Sequence, residues 1–408
     1  MLPTQDGKLT TDDISELSAI LVNESLFHDL SKKVTAQIPL AIDTLTQIRN
    51  DPLTCYQNVV ANSPLELEHE IFNLLKDHEP PKITEGPGKS IKLIVVETTR
   101  EEEGRSDEFL GQLEKNSKYV KTIRPYLPFS DFIANPTSSE ANIFTIDYIV
   151  QKLETNFFLD KINPGFVGTF KARNLKYYPS SNEALCYKGA VEFCKKYGCP
   201  IYVDAEGLSF EEIHSLLDRH VVGLTLLSGI PVSRKDTRDF HFNNCVMYTS
   251  AEFDLSELMK ACRAGYRVDF SIFRLLSAGL TLQDIAQVLK RLMPDEFILP
   301  RMLLSVGLFY KTDYLKFGGL GLRVLNDLVS MLLNQGLPEP LINLLLVKNP
   351  QEYLFWWKPL KIKPKEVYMW QCWECKKEFP EETPKISKFD YNFCSPPCFK
   401  TGLKKIPK

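Results

Sequence analysis

Short apolar runs alternate with amphipathic stretches along most of this chain. The runs are AILVN (19–23), IKLIVVE (91–97), residues 119–126, GFVGTF (165–170), PIYVD (200–204), VGLTLLS (222–228), YRVDF (266–270) and MLLSV (302–306). They are short, rich in branched and aromatic side chains, and predict strands buried on both faces. Between them, apolar positions fall three and four apart, which predicts helices. SFEE (209–212) reads as a capping box opening one helix, and Thr281 precedes another whose Leu282, Ile285, Leu289 and Leu292 share a face. Eight such strand–helix units predict an α/β fold, a (β/α)8 TIM barrel. A doubly wound sheet is the weaker alternative, because no Gly-rich dinucleotide fingerprint follows any of the runs.

Composition narrows the class. The 408 residues are 44% hydrophobic and 25% charged, with a net charge of −3. That balance excludes a mainly disordered chain and a globally basic nucleic-acid binder. No apolar stretch approaches the ~18 residues that span a bilayer, so no membrane role is expected. The polar, acidic start lacks an apolar signal core and an Arg-rich transit pattern, which makes the cytoplasm the expected compartment. Cys55, Cys186, Cys194, Cys199, Cys245 and Cys262 are scattered, as in a reducing environment, whereas Cys372, Cys375, Cys394 and Cys398 crowd the last forty residues.

In a barrel the chemistry sits where strands end. The stretches to read are therefore 23–25, 97–100, 169–171, 204–206, 228, 269–271 and 307. Several segments around them resemble the phosphotriesterase-related branch of the metal-dependent amidohydrolases. VVETTREEEGRSDEFLGQLEKNSKY (95–119) is similar to that family's second strand and following helix. GFVGTF, PIYVDAEG (200–207) and YRVDFSIF (266–273) resemble its fourth, fifth and seventh strands. RMLLSVGLFYKTDYLKFGGLGLRVL (301–325) and LLLVKNPQEYL (344–354) carry its Leu-Leu-Ser strand, Gly-Gly-x-Gly loop and closing Asn-Pro.

The resemblance implies two divalent metals held by His, a bridging carboxylate and Asp, which activate water against an ester or amide. Here the corresponding positions hold Asn23, Ser25, Thr169, Asp204, Ser228 and Gly307. Neutral oxygens do not hold Zn²⁺ without anionic or imidazole company, and Gly307 offers no side chain. A barrel metal is therefore not expected. Strand alternation places Lys171 with Thr169 and Glu206 with Asp204; with Asp269 they would form a polar cluster at the barrel mouth. Such a cluster is either a rebuilt hydrolytic site or a set of side chains that satisfy one another, and the second is favoured. Of the six histidines, His28, His69, His78, His214, His220 and His241, none falls at a strand end in a ligand pattern. Gly318, Gly319 and Gly321 are read as turn glycines in preference to a phosphate cradle.

A Pro- and Lys-containing linker near 361 leads into WQCWECKKEF and NFCSPPCFKTGLKKI. The two cysteine pairs predict a structural Zn²⁺ held by Cys372, Cys375, Cys394 and Cys398, closed to substrate. The module resembles a treble-clef finger, with three residues between its last two cysteines where two are usual. Residues 361–408 hold eleven Lys, six acids and no Arg, a charge of +5 that suits a protein partner better than nucleic acid. The chain is thus expected to be a barrel (1–360) and a zinc finger (361–408). Its expected role is binding or scaffolding by a degenerate relative of the phosphotriesterases, with a divergent ester or amide hydrolase as the alternative.

Overall fold

The computed structural model describes residues 2–4, 7–9, 17–76, 92–100, 103–117, 119–126, 145–158, 164–178, 181–204, 208–216, 245–248, 255–354, 369–380, 385–388 and 391–405. Within them, β1 (Ala19–Glu24), β2 (Leu93–Glu97) and β3 (Val120–Ile123) pair in parallel and in order. The third strand breaks at Arg124, whose carbonyl accepts from Gly165 N, and resumes at Pro125–Tyr126 against β4 (Phe166–Lys171). Pro125 has no N–H, so the ladder cannot pass through it unbroken. The series continues in parallel through β5 (Ile201–Asp204), β6 (Cys245–Tyr248), β7 (Arg267–Ser271) and β8 (Met302–Ser305).

Hydrogen bonds join the two ends of this series. The buried Glu24 carboxylate accepts from Val306 N and Leu308 N, both at 2.8 Å, and Ser25 N donates to Leu308 O. The order and these bonds are those of a (β/α)8 arrangement.

Helices fill the connections: α1 (Pro64–Lys76), α2 (Asp107–Asn116), α3 (Ile146–Phe158), α4 (Asn182–Tyr197), residues 210–216, α5 (Leu255–Arg263), α6 (Leu282–Leu292) and, after β8, α7 (Val324–Asn334). Local chemistry sets their starts. Ser106, Ser181 and Thr281 each accept a first-turn amide of the helix that follows. The box expected at 209–212 forms, with Ser209 and Glu212 bonded reciprocally. Ile285, Leu289 and Leu292 of α6 are buried, as their spacing predicts. Asn349, of the Asn-Pro pair, donates to Leu299 O and Met302 O and so anchors the start of β8. One apolar core runs from Leu17 to Leu354.

One strand differs from expectation. The strand bonded to β5 on one side and β7 on the other is Cys245–Tyr248, a run not expected from the sequence. Residues 222–228, Ser228 among them, lie outside the described residues, as does Glu206. An apolar run of that length carries no label that separates strand from other buried segments.

The cysteine-rich tail has its own small core of Trp370, Cys372, Phe379 and Phe393. Hairpin β9 (Met369–Gln371) with β10 (Glu378–Pro380) precedes hairpin β11 (Ile386–Lys388) with β12 (Tyr391–Phe393). Helix α8 (Pro396–Gly402) follows, capped by Ser395, which accepts from Cys398 N. No helix among the described residues is long and apolar enough to cross a membrane.

Candidate functional site

A cavity of about 350 Å³ opens where the strands end. Its wall contains Asn23, Ser25, Thr169, Lys171, Asp204 and Gly307, six of the nine positions singled out from sequence. Phe273, Phe309 and Tyr310 supply its apolar side.

The polar groups of this wall are bonded to one another. Asn23 Oδ1 accepts from Thr98 Oγ1 (2.8 Å) and its Nδ2 donates to Asp269 Oδ2 (3.0 Å). Ser25 Oγ lies 2.6 Å from Thr99 Oγ1, and Thr169 Oγ1 donates to Thr98 O. Asp204 receives both Nη atoms of Arg274, at 3.0 and 3.3 Å. Lys171 Nζ donates to Glu103 at 3.1 Å, and Lys33 approaches the same carboxylate at 3.6 Å. Burial alone would push Glu103 up; Lys171 and Lys33 outweigh it and hold the carboxyl below its ordinary range. Arg100 donates through Nε to Thr169 O and through Nη2 to the buried Glu183, which also accepts from Lys171 N and Asn174 Nδ2.

Asp269 departs from the expected mouth cluster. It is fully buried, bonded to Asn23 and Ser305 Oγ (2.8 Å), and burial raises its carboxyl to about 7. Glu24, also fully buried, is raised to about 8 for the same reason. The expected grouping of Asp269 with Asp204 and Lys171 gives way to separate pairs, because Arg274 and Glu103 reach those two first. Gly307 has φ +71, and a Cβ there would lie 1.9 Å from Ser271 Oγ. His28 is buried rather than bound into a ligand set. Its ring stacks on Phe309 at 4.6 Å, and burial lowers it to about 4. His69 lies exposed on α1 and His214 meets Tyr266 OH at 3.0 Å; His78, His220 and His241 fall outside the described residues. The glycine loop spends its amides internally: Gly318, Gly319 and Gly321 N donate to Leu315, Tyr314 and Asp313 carbonyls.

Arg274, Glu103 and Glu183 carried no sequence signal. They are ordinary charges on helical or loop segments, 68 to 83 residues from the oppositely charged side chains they pair with.

The second site is in the tail. Sulfurs of Cys372, Cys375, Cys394 and Cys398 all lie within 4.8 Å of one another, with Cys375–Cys394 and Cys394–Cys398 at 3.7 Å. A tetrahedral ion with Zn–S bonds of about 2.3 Å needs sulfurs about 3.8 Å apart, so this donor set fits one metal ion. Ser395 caps α8 and so places Cys398 in the first turn of that helix. Burial opposes ionisation of Cys372, but backbone amides of Cys375 and Cys394 hold its thiol down to about 7.

No protein-family model and no curated protein sequence matches the chain. Solved structures do. A resiniferatoxin-binding protein from Rhodobacter sphaeroides superposes with TM-score 0.64 at 16% identity, covering 86% of this chain and 94% of its own. A phosphotriesterase homology protein from Escherichia coli, solved with phosphate in its active site, gives 0.56 at 16%, covering 83% and 99%. A lactonase from Listeria monocytogenes gives 0.56 at 13%, covering 88% and 99%. The chain shares their fold.

Proposed function

We propose that residues 1–360 form a closed (β/α)8 barrel of the phosphotriesterase-related line whose metal centre has been replaced by hydrogen-bonded side chains. In this reading residues 361–408 are a zinc finger, and the cytoplasmic chain works as a binding or scaffold protein with a protein partner on the finger. The supporting observation is the wall of the cavity. Where ligands are expected, Asn23 is bonded to Thr98 and Asp269, Asp204 to Arg274, and Gly307 has its side-chain space filled by Ser271. Fold alone does not choose between binding and hydrolysis, since proteins named for each share it.

The chemistry of the tail supports zinc as its metal, because four thiolates in a closed tetrahedral set are a structural zinc arrangement. The alternative, a divergent ester or amide hydrolase with a single or rebuilt metal, draws on Asp204, which still lines the cavity at the end of β5. Element analysis separates the two. One zinc per chain, lost on removal of the tail cysteines, supports the scaffold; two or three metals with esterase activity support the hydrolase.

A further inference from the structure

The finger's surface has a chemistry of its own. Lys376 takes a left-handed backbone, φ +62, at the tip of the first cysteine turn. Its N donates to Cys372 O and its O accepts from Gln371 Nε2, so the metal-binding turn fixes where its side chain starts. The ammonium lies 4.1 Å over the Trp373 ring, and that ring lies 4.4 Å from Tyr391. At the other end of the module, Glu374 is held by Lys405, and Gly402 packs so closely on the same turn that a Cβ would lie 3.3 Å from Glu374 Cβ. The end of α8 with Lys400, and the short turn after it with Lys404, therefore sit beside the cysteine turn.

Lys376, Lys400 and Lys404 are exposed, and no carboxylate lies within ion-pair reach of them among the described residues. The helix dipole favours cations at the end of α8 and accounts in part for Lys400 and Lys404. It does not account for Lys376. A loaded four-thiolate zinc carries a charge of −2, and the +5 of residues 361–408 still leaves the module positive.

From this we infer that the finger docks an acidic peptide segment of a partner protein, with carboxylates meeting Lys376, Lys400 and Lys404. The inference deepens the scaffold reading and rests on it. Single-stranded nucleic acid fits less well: the module has no Arg fork for phosphate, and Trp373 is covered by Lys376 and Tyr391, so it offers no open platform for a base.

The test uses the full zinc-loaded chain and fluorescence polarisation of a labelled Glu-Gly repeat peptide. A Lys-Gly peptide and a single-stranded RNA of equal length serve as competitors in class. The expected result is saturable binding of the acidic peptide that weakens steeply between ~50 and ~300 mM salt. The triple variant K376E/K400E/K404E, with zinc content unchanged, is expected to lose about tenfold or more in affinity, and K376E alone a measurable part of it. No saturable binding up to about 1 mM peptide, unchanged binding in the zinc-loaded triple variant, or tighter binding of RNA would overturn the inference. The scaffold reading is judged apart from this, by the metal count and esterase assay, so the two can fail separately.

Discussion

The hydroxyl of Ser271 on β7 occupies the place where a side chain at Gly307 would begin, 1.9 Å from an added Cβ. The backbone at Gly307 is also left-handed, at φ +71. Any substitution there meets both a clash and strain. Gly307→Ala is expected to cost about 1–3 kcal/mol. Adding Ser271→Ala should recover the steric part only, which paired chemical denaturation curves would measure. For the same reason Gly307→Asp, like Asn23→His alone, is expected to restore no metal-dependent hydrolysis. Constellations that act as a unit are not rebuilt one residue at a time. Measurable esterase activity in either single variant would refute this.

Buried Glu183 holds Arg100, the Lys171 amide and Asn174 together behind the cavity wall. Glu183→Ala removes the carboxylate that the Arg100 guanidinium, itself only 6% exposed, donates to. The expected loss is about 3–5 kcal/mol, as for a buried ion pair cut on one side. Glu183→Gln keeps acceptors and should cost less. Equal urea midpoints for Glu183→Ala and the parent chain would contradict the arrangement.

Two opposed pH effects are built into the strand ends. Asp269 is raised to about 7 and Glu24 to about 8, chiefly by burial. Folded chains keep these protons where unfolded ones release them, so this contribution is full below about pH 4 and is lost as pH rises toward 8. His28, lowered to about 4, acts in reverse: its contribution is lost as pH falls from about 6.5 toward 4. Asp269→Asn keeps an acceptor for Asn23 and Ser305 without the titration. It should flatten the decline between about pH 5 and 8, read from denaturation midpoints across that range; an unchanged slope would remove Asp269 as its source.

The four tail cysteines should behave as one site. Substituting any one by Ser is expected to release zinc and expose the tail to protease, while the main thermal transition of the barrel stays in place, as it should also under chelator. Metal analysis and limited proteolysis of the four single variants check this. Retention of full zinc by Cys398→Ser alone would mean that the fourth ligand is elsewhere.

Sequence pattern located seven of the eight strands, because each is an apolar run flanked by polar turns and is buried on both faces. It did not single out CVMY, the strand that pairs between β5 and β7, because that run is short and the apolar VGLTLLS nearby has the stronger signal. The cysteine site was legible because its ligands are close in the chain and of one chemical type. The cavity wall was legible only on the strand side. Its partners Arg274, Glu103 and Glu183 arrive from elements far along the chain, and nothing in their local sequence marks the pairing. Asp269 was seen, but its depth beneath Asn23 follows from packing that alternation alone does not describe.

Glu24 bonds to the amides of Val306 and Leu308, 282 and 284 residues later in the chain. During synthesis at ~5–20 residues per second, β1 is complete for on the order of tens of seconds before those amides exist. Throughout that interval its outer edge lacks the contacts with the end of β8, and its carboxylate lacks the donors that hold it in the folded state. An unpaired, apolar strand edge is a template for pairing with other chains. The period of greatest aggregation risk is thus set by translation speed across the segment between Glu24 and Val306.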